Sequence, residues 1–428
     1  MKKQPLDRRS FLLKASSTAG VAAIGHTLPS PVSALGHDTK GTGYVYDALY
    51  EEHVIDDGHP ESPDRLEEIR LSMKASGLNA KVTPSAPIED PFPFIRRIHT
   101  QNHIDQVDQI PTTGAVAKQA VAGVLGAVKA VSEGEVRNAF CAIRPPGHHA
   151  HNSGREEGFC YYANVAVAAR YAQLLGHAKI LIIDWDYHHG NGTQDAFYND
   201  GSVLFFSTHD SSAYPGTGDE NYTGEGEGAG LNINVHLPCG ATDADMIAAW
   251  DQMLIPAARA FGPDFILISA GFDSRQNDTL GCFDLTDWCF AEMTRKAMAL
   301  ADEFCEGRIV SALEGGYNVT GLASAVVNHV GTLLNHEVDI EWARTRYRAY
   351  NKAGMRDGLL HLPGVSWQNV DEVLVHDAAG RRVTRIPRRQ IRGPIIDLRK
   401  RSMSPGLYIT TVAYRGQSPQ RYRYHVAQ

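Results

Sequence analysis

At the centre of the sequence lies the segment Ile182-Ile183-Asp184-Trp185-Asp186-Tyr187-His188-His189-Gly190-Asn191-Gly192. Together with the preceding Lys179-Ile180-Leu181, its apolar start predicts a strand buried on both faces, as in a parallel sheet flanked by helices. Side chains at every second position of an extended segment share one face, so Asp184, Asp186 and His188 can point into one crevice. This spacing predicts a metal site. The alternative, a helix cap or turn, would leave two acids and two histidines buried without purpose.

Strand-like and helix-like segments alternate from about Gly41 to His336. The predicted strands are residues 138–143, 179–183, 203–207, 264–270 and 308–313. The predicted helices are residues 164–175, 243–261, 286–304 and 320–334. This alternation predicts an α/β domain with a parallel sheet, whose ligands collect at the carboxyl ends of the strands.

Length and composition set the limits of the interpretation. The chain has 428 residues, of which 43% are hydrophobic and 21% are charged, so it can bury a large core and hold more than one domain. A formal net charge of −8 argues against nucleic acid as a general partner. After the first residues we expect no apolar run long enough to span a membrane.

The first 34 residues are predicted to be a signal peptide outside the fold. Asp7-Arg8-Arg9-Ser10-Phe11-Leu12-Leu13-Lys14 resembles the twin-arginine export signal, although Asp7 stands where Ser or Thr is usual. A weakly apolar stretch, residues 15–24, follows, and Val32-Ser33-Ala34 offers small residues for cleavage. A disordered basic tail is the alternative. The resemblance implies export machinery as a partner and a periplasmic location, with the cell surface or secretion as alternatives.

Six cysteines are scattered along the chain without any zinc-ligand spacing. Several lie in apolar runs, where cysteine is commonly a buried thiol. We expect no required disulfide.

Four predicted loops at the carboxyl ends of strands carry polar side chains. They are Arg144-Pro145-Pro146-Gly147-His148-His149, the segment 184–192, Ser269-Ala270-Gly271-Phe272-Asp273 and Leu313-Glu314-Gly315-Gly316-Tyr317-Asn318. Singly, each has an ordinary explanation: His148 could be a core histidine, Asp273 a helix cap and Tyr317 a packing residue. Their common position at one edge of one sheet favours a shared site.

These motifs, with Pro215-Gly216-Thr217-Gly218-Asp219 and His59-Pro60-Glu61-Ser62-Pro63-Asp64-Arg65-Leu66, resemble those of the zinc-dependent histone deacetylase superfamily. The resemblance is greatest to class II-like members and to bacterial acetylpolyamine amidohydrolases. It covers roughly residues 41–336 and implies the arginase/deacetylase α/β fold, in a domain that we place at residues 39–340.

The resemblance implies that Asp186, His188 and Asp273 hold one zinc ion, with iron(II) as the alternative. Two carboxylates and an imidazole leave a fourth position open, as catalytic zinc requires. Related enzymes with two manganese ions have further aspartates, whereas Asp273 has no acid two residues later. The family also implies a structural potassium ion, held by backbone carbonyls around Asp184, Asp186 and His188 with Ser207.

The resemblance also implies the catalytic roles. His149 would take the proton of the attacking water, His148 would assist electrostatically, and Asp184 would orient His148. Asn191 stands where many class I members have an aspartate, which should leave His149 less basic. Tyr317 would donate to the developing oxyanion.

Three residues match positions that line the acyl-lysine channel of the family: Phe159, Tyr214 and Leu280. The family more often has phenylalanine at the position of Tyr214. Leu280 is apolar where the eukaryotic polyamine deacetylase has a glutamate, which favours acetyl-lysine-like substrates over polyamines. An acidic loop at residues 219–227 could attract cationic amines, although such loops are more often simply solvated.

The C-terminal region is predicted to be a separate domain: a linker at residues 341–365 and a small β-rich, sandwich-like domain at residues 366–428. Short strands around 373–375, 382–384, 406–412 and 422–426 alternate with turn residues. The segment Met403-Ser404-Pro405-Gly406-Leu407-Tyr408 is loosely similar to sorting domains of the type IX secretion system. The arginines between Arg381 and Arg401 could instead bind an acidic surface, although exposed charge on a hairpin is the commoner explanation.

The sequence therefore predicts an exported zinc-dependent deacetylase that hydrolyses the amide of an acetylated or short-acyl amine, such as an acetyl-lysine peptide. An acetylpolyamine amidohydrolase, acting on a small acetylated amine, is the alternative. A non-catalytic acyl-amine-binding protein is the third hypothesis, but both loop histidines and Tyr317 are present.

Overall fold

The computed structural model describes residues 41–335, except residue 57, and seven segments of the C-terminal region. These segments are residues 354–356, 359–361, 370–377, 381–388, 395–397, 406–414 and 420–426. The predicted signal peptide lies outside the described residues.

Eight parallel strands form the central sheet. They are β1 (Thr42–Val45), β2 (Thr83–Pro84), β3 (Asn138–Cys141), β4 (Ile180–Asp184), β5 (Val203–His209), β6 (Asn232–His236), β7 (Phe265–Ala270) and β8 (Ile309–Leu313). The strand order across the sheet is β2-β1-β3-β8-β7-β4-β5-β6. The prediction of an α/β domain with a parallel sheet is confirmed.

Ten α-helices accompany the sheet in the described part of the domain. They are α1 (Asp64–Ala75), α2 (Phe92–Ile95), α3 (Gln101–Val107), α4 (Thr113–Ser132), α5 (Asn164–Leu174), α6 (Asn191–Phe197), α7 (Asp243–Ala249), α8 (Ile255–Phe261), α9 (Asp287–Phe304) and α10 (Val319–Leu333). A π-helical segment, Trp250–Leu254, joins α7 to α8 inside the helix predicted for residues 243–261. Pro256 explains part of this break, because proline has no N–H to donate to the preceding turn.

The core lies on both faces of the sheet. Every residue of β3, β4, β5, β7 and β8 is buried, as expected for apolar strands covered by helices on both sides. Helix α4 packs with α5, and α9 packs with α10. Trp185 and Trp250 are both fully buried, with ring centroids 6.0 Å apart.

Helix α4 contradicts the expectation that no apolar run after the first residues is long enough to span a membrane. It is 20 residues long and apolar enough to cross a membrane by length and composition, and 78% of its apolar window is buried inside the protein. A buried core helix can meet the same criteria of length and composition. The sequence did not reveal it as one apolar run because Lys118 and Gln119 interrupt it.

The sheet order brings the four polar loops together. The strands that precede them, β3, β8, β7 and β4, are consecutive neighbours in the sheet. Their ends are also in register, since Asp184 of β4 pairs with Ser269 of β7, and Ala270 of β7 pairs with Leu313 of β8. The loops after these strands therefore begin side by side at one edge.

The C-terminal region forms two antiparallel sheets. One contains β9 (Gly354–Arg356), β10 (Leu359–His361) and β13 (Ile395–Asp397), and the other contains β11 (Val370–Asp377), β12 (Arg382–Pro387), β14 (Gly406–Tyr414) and β15 (Gln420–Val426). This agrees with the predicted all-β class. The range predicted as a linker, residues 341–365, contains β9 and β10, which pair with each other.

A disulfide joins Cys239 and Cys282, contrary to the expectation that none is required. Cys239 follows β6 and Cys282 follows β7, so only the fold brings these residues together across a separation of 43 positions. The other four cysteines are buried free thiols, as expected: Cys141, Cys160, Cys289 and Cys305.

Candidate active site

Asp186, His188 and Asp273 converge at the edge of the sheet. One ligand atom from each lies within 4.8 Å of the others. His188 Nδ1 is 2.9 Å from Asp273 Oδ2 and 3.2 Å from Asp186 Oδ1. Burial, followed by the charge of Asp186, raises the pKa of the Asp273 carboxyl to about 7. Two buried carboxylates and an imidazole fit a divalent cation, because the cation would compensate their charge.

Backbone groups orient the two carboxylates. The N–H of Gly315 donates to Asp186 Oδ2 at 2.8 Å, and the N–H of Tyr187 donates to Asp273 Oδ1 at 2.8 Å. Glycine is needed at two neighbouring positions. A Cβ atom would lie 2.0 Å from Asp186 Oδ2 at Gly271 and 2.3 Å from Asp273 Oδ2 at Gly315. The glycines of the two motifs thus make room for the carboxylates.

His148 and His149 lie next to each other, with ring centroids 4.0 Å apart. His148 Nδ1 is 3.0 Å from Asp184 Oδ2, and His149 Nδ1 is 2.7 Å from Asn191 Oδ1. Because carboxylate and amide oxygens accept hydrogen bonds, each Nδ1 carries the proton. Each Nε2 is then the atom available for acid or base chemistry.

The pKa values of the two imidazoles move in opposite directions. Burial and the neighbouring His148 lower the pKa of His149 well below its ordinary value. Burial alone would also lower the pKa of His148, but the charges of Asp186 and Asp184 raise it well above its ordinary value. The pair thus places an imidazole with a lowered pKa beside one with a raised pKa.

Tyr317 is a buried phenol on a glycine hinge. Burial, followed by the charge of Asp273, raises the pKa of Tyr317 well above its ordinary value, so the hydroxyl keeps its proton. The guanidinium carbon of Arg65 lies 5.2 Å from the centroid of its ring. Gly316 has φ +122°, a conformation that favours glycine. Arg65 Nε donates to the Gly316 carbonyl at 2.7 Å and so holds the hinge.

Two aromatic rings of the predicted channel contact the candidate catalytic residues. The ring of Phe159 packs edge-on against Tyr317, with centroids 5.8 Å apart, and the ring of Tyr214 packs edge-on against His149 at 5.0 Å. Tyr214 is 50% exposed, so one part of it faces solvent. Leu280 is 42% exposed on the loop that follows β7. The structure thus brings Phe159 and Tyr214 to the site and places Leu280 further along the loop that carries Asp273.

Sequence reasoning missed a buried ion network. Arg144 Nη2 donates to Glu61 Oε2 at 2.7 Å, and Arg65 Nη1 donates to Glu61 Oε1 at 3.2 Å. Burial would raise the pKa of Glu61, but the charge of Arg144 lowers it to about 2. The quoted motifs contain all three residues, yet only the fold pairs Glu61 with an arginine 83 positions away.

Glu314 was also missed as a functional candidate. Its Oε2 accepts hydrogen bonds from the backbone N–H of Gly147 at 2.6 Å and of His148 at 3.2 Å, and its Oε1 accepts from Ser269 Oγ at 3.0 Å. Burial raises the pKa of Glu314 to about 7. Donor atoms of Glu314, His148 and Cys160 also lie within 4.8 Å of one another. Two of these three hydrogen bonds, those from Gly147 and His148, indicate that the carboxyl orients the histidine loop.

Known proteins match the domain that carries this site. Residues 59–333 match the family model of the histone deacetylase domain. Histone deacetylase 5 of Arabidopsis thaliana is 40% identical over 337 residues, covering 70% of this chain and 50% of that protein. The chain thus spans about half the length of this plant relative.

Two further relatives are matched over nearly their whole length. A probable deacetylase of Archaeoglobus fulgidus is 33% identical over 350 residues, covering 78% of this chain and 94% of that protein. The crystal structure of the HDA15 HD domain superposes with a TM-score of 0.65 at 35% identity, covering 71% of this chain and 93% of that one.

Proposed function

The chain belongs to the histone deacetylase family, and from this membership we propose that it is a metal-dependent deacetylase of acetylated or short-acyl amines such as acetyl-lysine. The observation that carries the proposal is the meeting of the acidic ligand set, the histidine pair and Tyr317 at one sheet edge. A non-catalytic binding protein would need no such combination of a base, an acid and a neutral phenol.

Asp186, His188 and Asp273 would hold the ion, for which zinc is our proposal and iron(II) the alternative. When bound, zinc supplies a Lewis acid that polarises the amide carbonyl and lowers the pKa of water. We also retain the proposal of a structural potassium ion near Asp184 and Ser207, which pair across β4 and β5.

The histidine pair would move the proton. Neutral His149, held by Asn191 through Nδ1, takes the proton of the attacking water at Nε2 and passes it to the leaving amine. Charged His148, held by Asp184, stabilises the negative charge that develops beside it. The products are a carboxylate and a free amine.

Tyr317 would donate a hydrogen bond to the oxyanion that forms from the amide carbonyl. Such a donor contributes about 100-fold or more when it is already oriented before the reaction. The raised pKa of Tyr317 keeps its hydroxyl protonated, which this role requires.

The substrate class that we propose is acetyl-lysine in a peptide. Phe159 and Tyr214 would hold the uncharged aliphatic stem, and the side chain of Leu280 offers no charge to a polyamine. An acetylated polyamine is the alternative substrate, and the exposed acidic loop at residues 219–227 is the feature that favours it.

We further propose that the protein is exported, with the twin-arginine-like segment at residues 7–14 as the supporting feature. A periplasmic location is the first proposal, and the cell surface or secretion are the alternatives. The C-terminal sheets would then serve in sorting or in binding an acidic surface.

The test is amine release from an acetyl-lysine peptide and from acetylated spermidine by protein loaded with zinc. We expect turnover of both to be detectable and the peptide to be preferred. Leu280→Glu should move the preference towards the polyamine, whereas Leu174→Glu, a leucine 48% exposed on α5, should not. Absence of release from either substrate by zinc-loaded protein would contradict the deacetylase proposal, and a preference for spermidine would contradict the substrate class.

A further inference from the structure

The carboxylate of Asp278 joins two loops of the site. Its Oδ2 accepts hydrogen bonds from the backbone N–H groups of Tyr317 at 2.7 Å and Asn318 at 3.0 Å. Its Oδ1 accepts from the backbone N–H groups of Leu280 at 2.9 Å and Gly281 at 3.3 Å. One side chain from the loop after β7 therefore holds the backbone of the loop after β8.

The hydrogen bonds that Asp278 Oδ2 accepts come from a segment that directly follows two glycines. Gly315 and Gly316 precede Tyr317, and glycine allows more backbone conformations than any other residue. Arg65 fixes the carbonyl of Gly316 from one side. Asp278 fixes the N–H of Tyr317 from the other side. Together these two contacts determine the direction in which the Tyr317 side chain leaves the backbone.

The loop that carries Asp278 is itself firmly held. Asn318 Nδ2 donates to the carbonyl of Asn277 at 2.8 Å, and the N–H of Gly240 donates to the carbonyl of Cys282 at 2.8 Å. Gly281 lies against the backbone of Asp273, since a Cβ atom there would be 2.0 Å from the Asp273 carbonyl oxygen. A side chain that orients a functional group works best from such a rigid support.

A local role accounts for only half of these bonds. The bonds from Oδ1 to the residues two and three positions later form the turn that aspartate commonly stabilises. The bonds from Oδ2 reach residues 39 and 40 positions away and are not needed for that turn.

We infer that Asp278 is a positioning residue that sets the oxyanion donor Tyr317 in place. The inference rests on the role proposed for Tyr317 and adds a residue to which neither the motifs nor the ligand set assigned a function. Asp278 itself touches no reacting atom in this account and acts only through the backbone of Tyr317.

The test is a double-mutant cycle of Asp278→Asn and Tyr317→Phe, with kcat, KM and bound metal measured for each protein. Asparagine keeps one acceptor oxygen, so it cannot hold both loops. We expect Asp278→Asn to lower kcat by about 10- to 100-fold, since a small misplacement of a reacting group has effects of this size. The KM value and the bound metal should remain close to those of the parent protein. In the Tyr317→Phe background, Asp278→Asn should change kcat by no more than about twofold, because both changes remove one function.

Asp243→Asn is the matched control. The Asp243 carboxylate likewise accepts hydrogen bonds from another loop, from the N–H of Thr286 at 2.8 Å and its hydroxyl at 2.6 Å. Thr286 lies at the end of the loop after β7, eight positions beyond Asp278, and its bonds to Asp243 do not reach the loop that carries Tyr317. We expect kcat of Asp243→Asn to stay within about twofold of the parent value, as for a change remote from the reacting groups.

Three results would overturn the inference. Asp278→Asn could keep the parent kcat, its effect could multiply with that of Tyr317→Phe, or Asp243→Asn could lower kcat equally. Full activity of Tyr317→Phe would contradict the oxyanion role of Tyr317, and with it the role of Asp278. Full activity of Asp278→Asn beside an impaired Tyr317→Phe would contradict the role of Asp278 alone, so the two failures are distinguishable. If urea titration shows no cooperative unfolding transition for Asp278→Asn, that variant is not folded, and Asp278→Ser replaces it. Serine can still stabilise the local turn.

Discussion

His149 Nδ1 lies 2.7 Å from the amide oxygen of Asn191, whereas Nδ1 of the adjacent His148 lies 3.0 Å from the carboxylate of Asp184. Two neighbouring imidazoles thus have a neutral and a charged partner. Burial and His148 lower the pKa of His149, and a neutral amide leaves that effect largely uncompensated. The different partners therefore separate a base from an acid within one pair.

Asn191→Asp should make His149 more basic. A carboxylate at this distance raises the pKa of an imidazole by about one unit or more. His149 would then stay protonated to higher pH, so the acid limb of the kcat/KM profile should move to higher pH. Asn221→Asp, on an exposed loop, is the control and should leave the profile in place. An unchanged acid limb in Asn191→Asp would contradict the assignment of His149 as the base.

His151 should stabilise the fold more in acid than in base. Its hydrogen bond to Asp195, at 2.9 Å, raises its pKa, with Glu157 3.3 Å away on its other side. A raised folded-state pKa contributes stability that is complete below the unfolded value of about 6.5 and is lost as the pH rises through the folded value. His151→Gln should thus lower the free energy of unfolding more at about pH 5.5 than at about pH 9.

The effect of His151→Gln should stay below about 1 kcal/mol, because the carboxylate of Asp195 is 61% exposed and solvent screens the pair. Urea titrations at the two pH values measure it. For Asp195→Asn, the loss in the free energy of unfolding should depend on pH in the same way but be smaller, because Glu157 still faces His151. Equal losses at both pH values would show that protonated His151 is not the stabilising form.

The disulfide should contribute measurably to stability. Its partners are 43 positions apart, and closing a loop of that length in the unfolded chain is worth about 2–4 kcal/mol. The double variant Cys239→Ser/Cys282→Ser should lose this amount in urea titrations. Reductant should destabilise the parent protein equally and leave the double variant unchanged. Alkylation of six thiols in the denatured, unreduced parent would rule out the bond.

Sequence patterns predicted five of the eight strands of the central sheet and the polar loops of the candidate site, because the polar side chains directly follow apolar strands. Strands β1 and β2 were not predicted. Asp186 and Asp273 belong to such local patterns, and the neighbouring order of their strands brought them together. Strand β6 was missed because Asn232 and Asn234 interrupt its apolar character. Both are buried in the structure, where they donate to the side chain of Gln194 at 3.0 and 2.8 Å.

Asp278 and the disulfide could not be predicted in the same way. Each depends on two loops that are distant in the chain, and no spacing in the sequence marks which loops will meet. Glu314 was visible as an acid at a strand end, but its hydrogen bonds to the loop of His148 required the fold. Long-range polar contacts are thus the part of this site that local patterns leave open.

The central claim is that Asp186, His188 and Asp273 hold a catalytic metal beside Tyr317. The most direct measurement is bound metal and acetyl-lysine turnover on the same preparations of the parent, Asp186→Ala and Tyr317→Phe. We predict that Asp186→Ala loses both, while Tyr317→Phe keeps the metal and loses about 100-fold or more in kcat. Parent-like turnover in either variant would contradict the account.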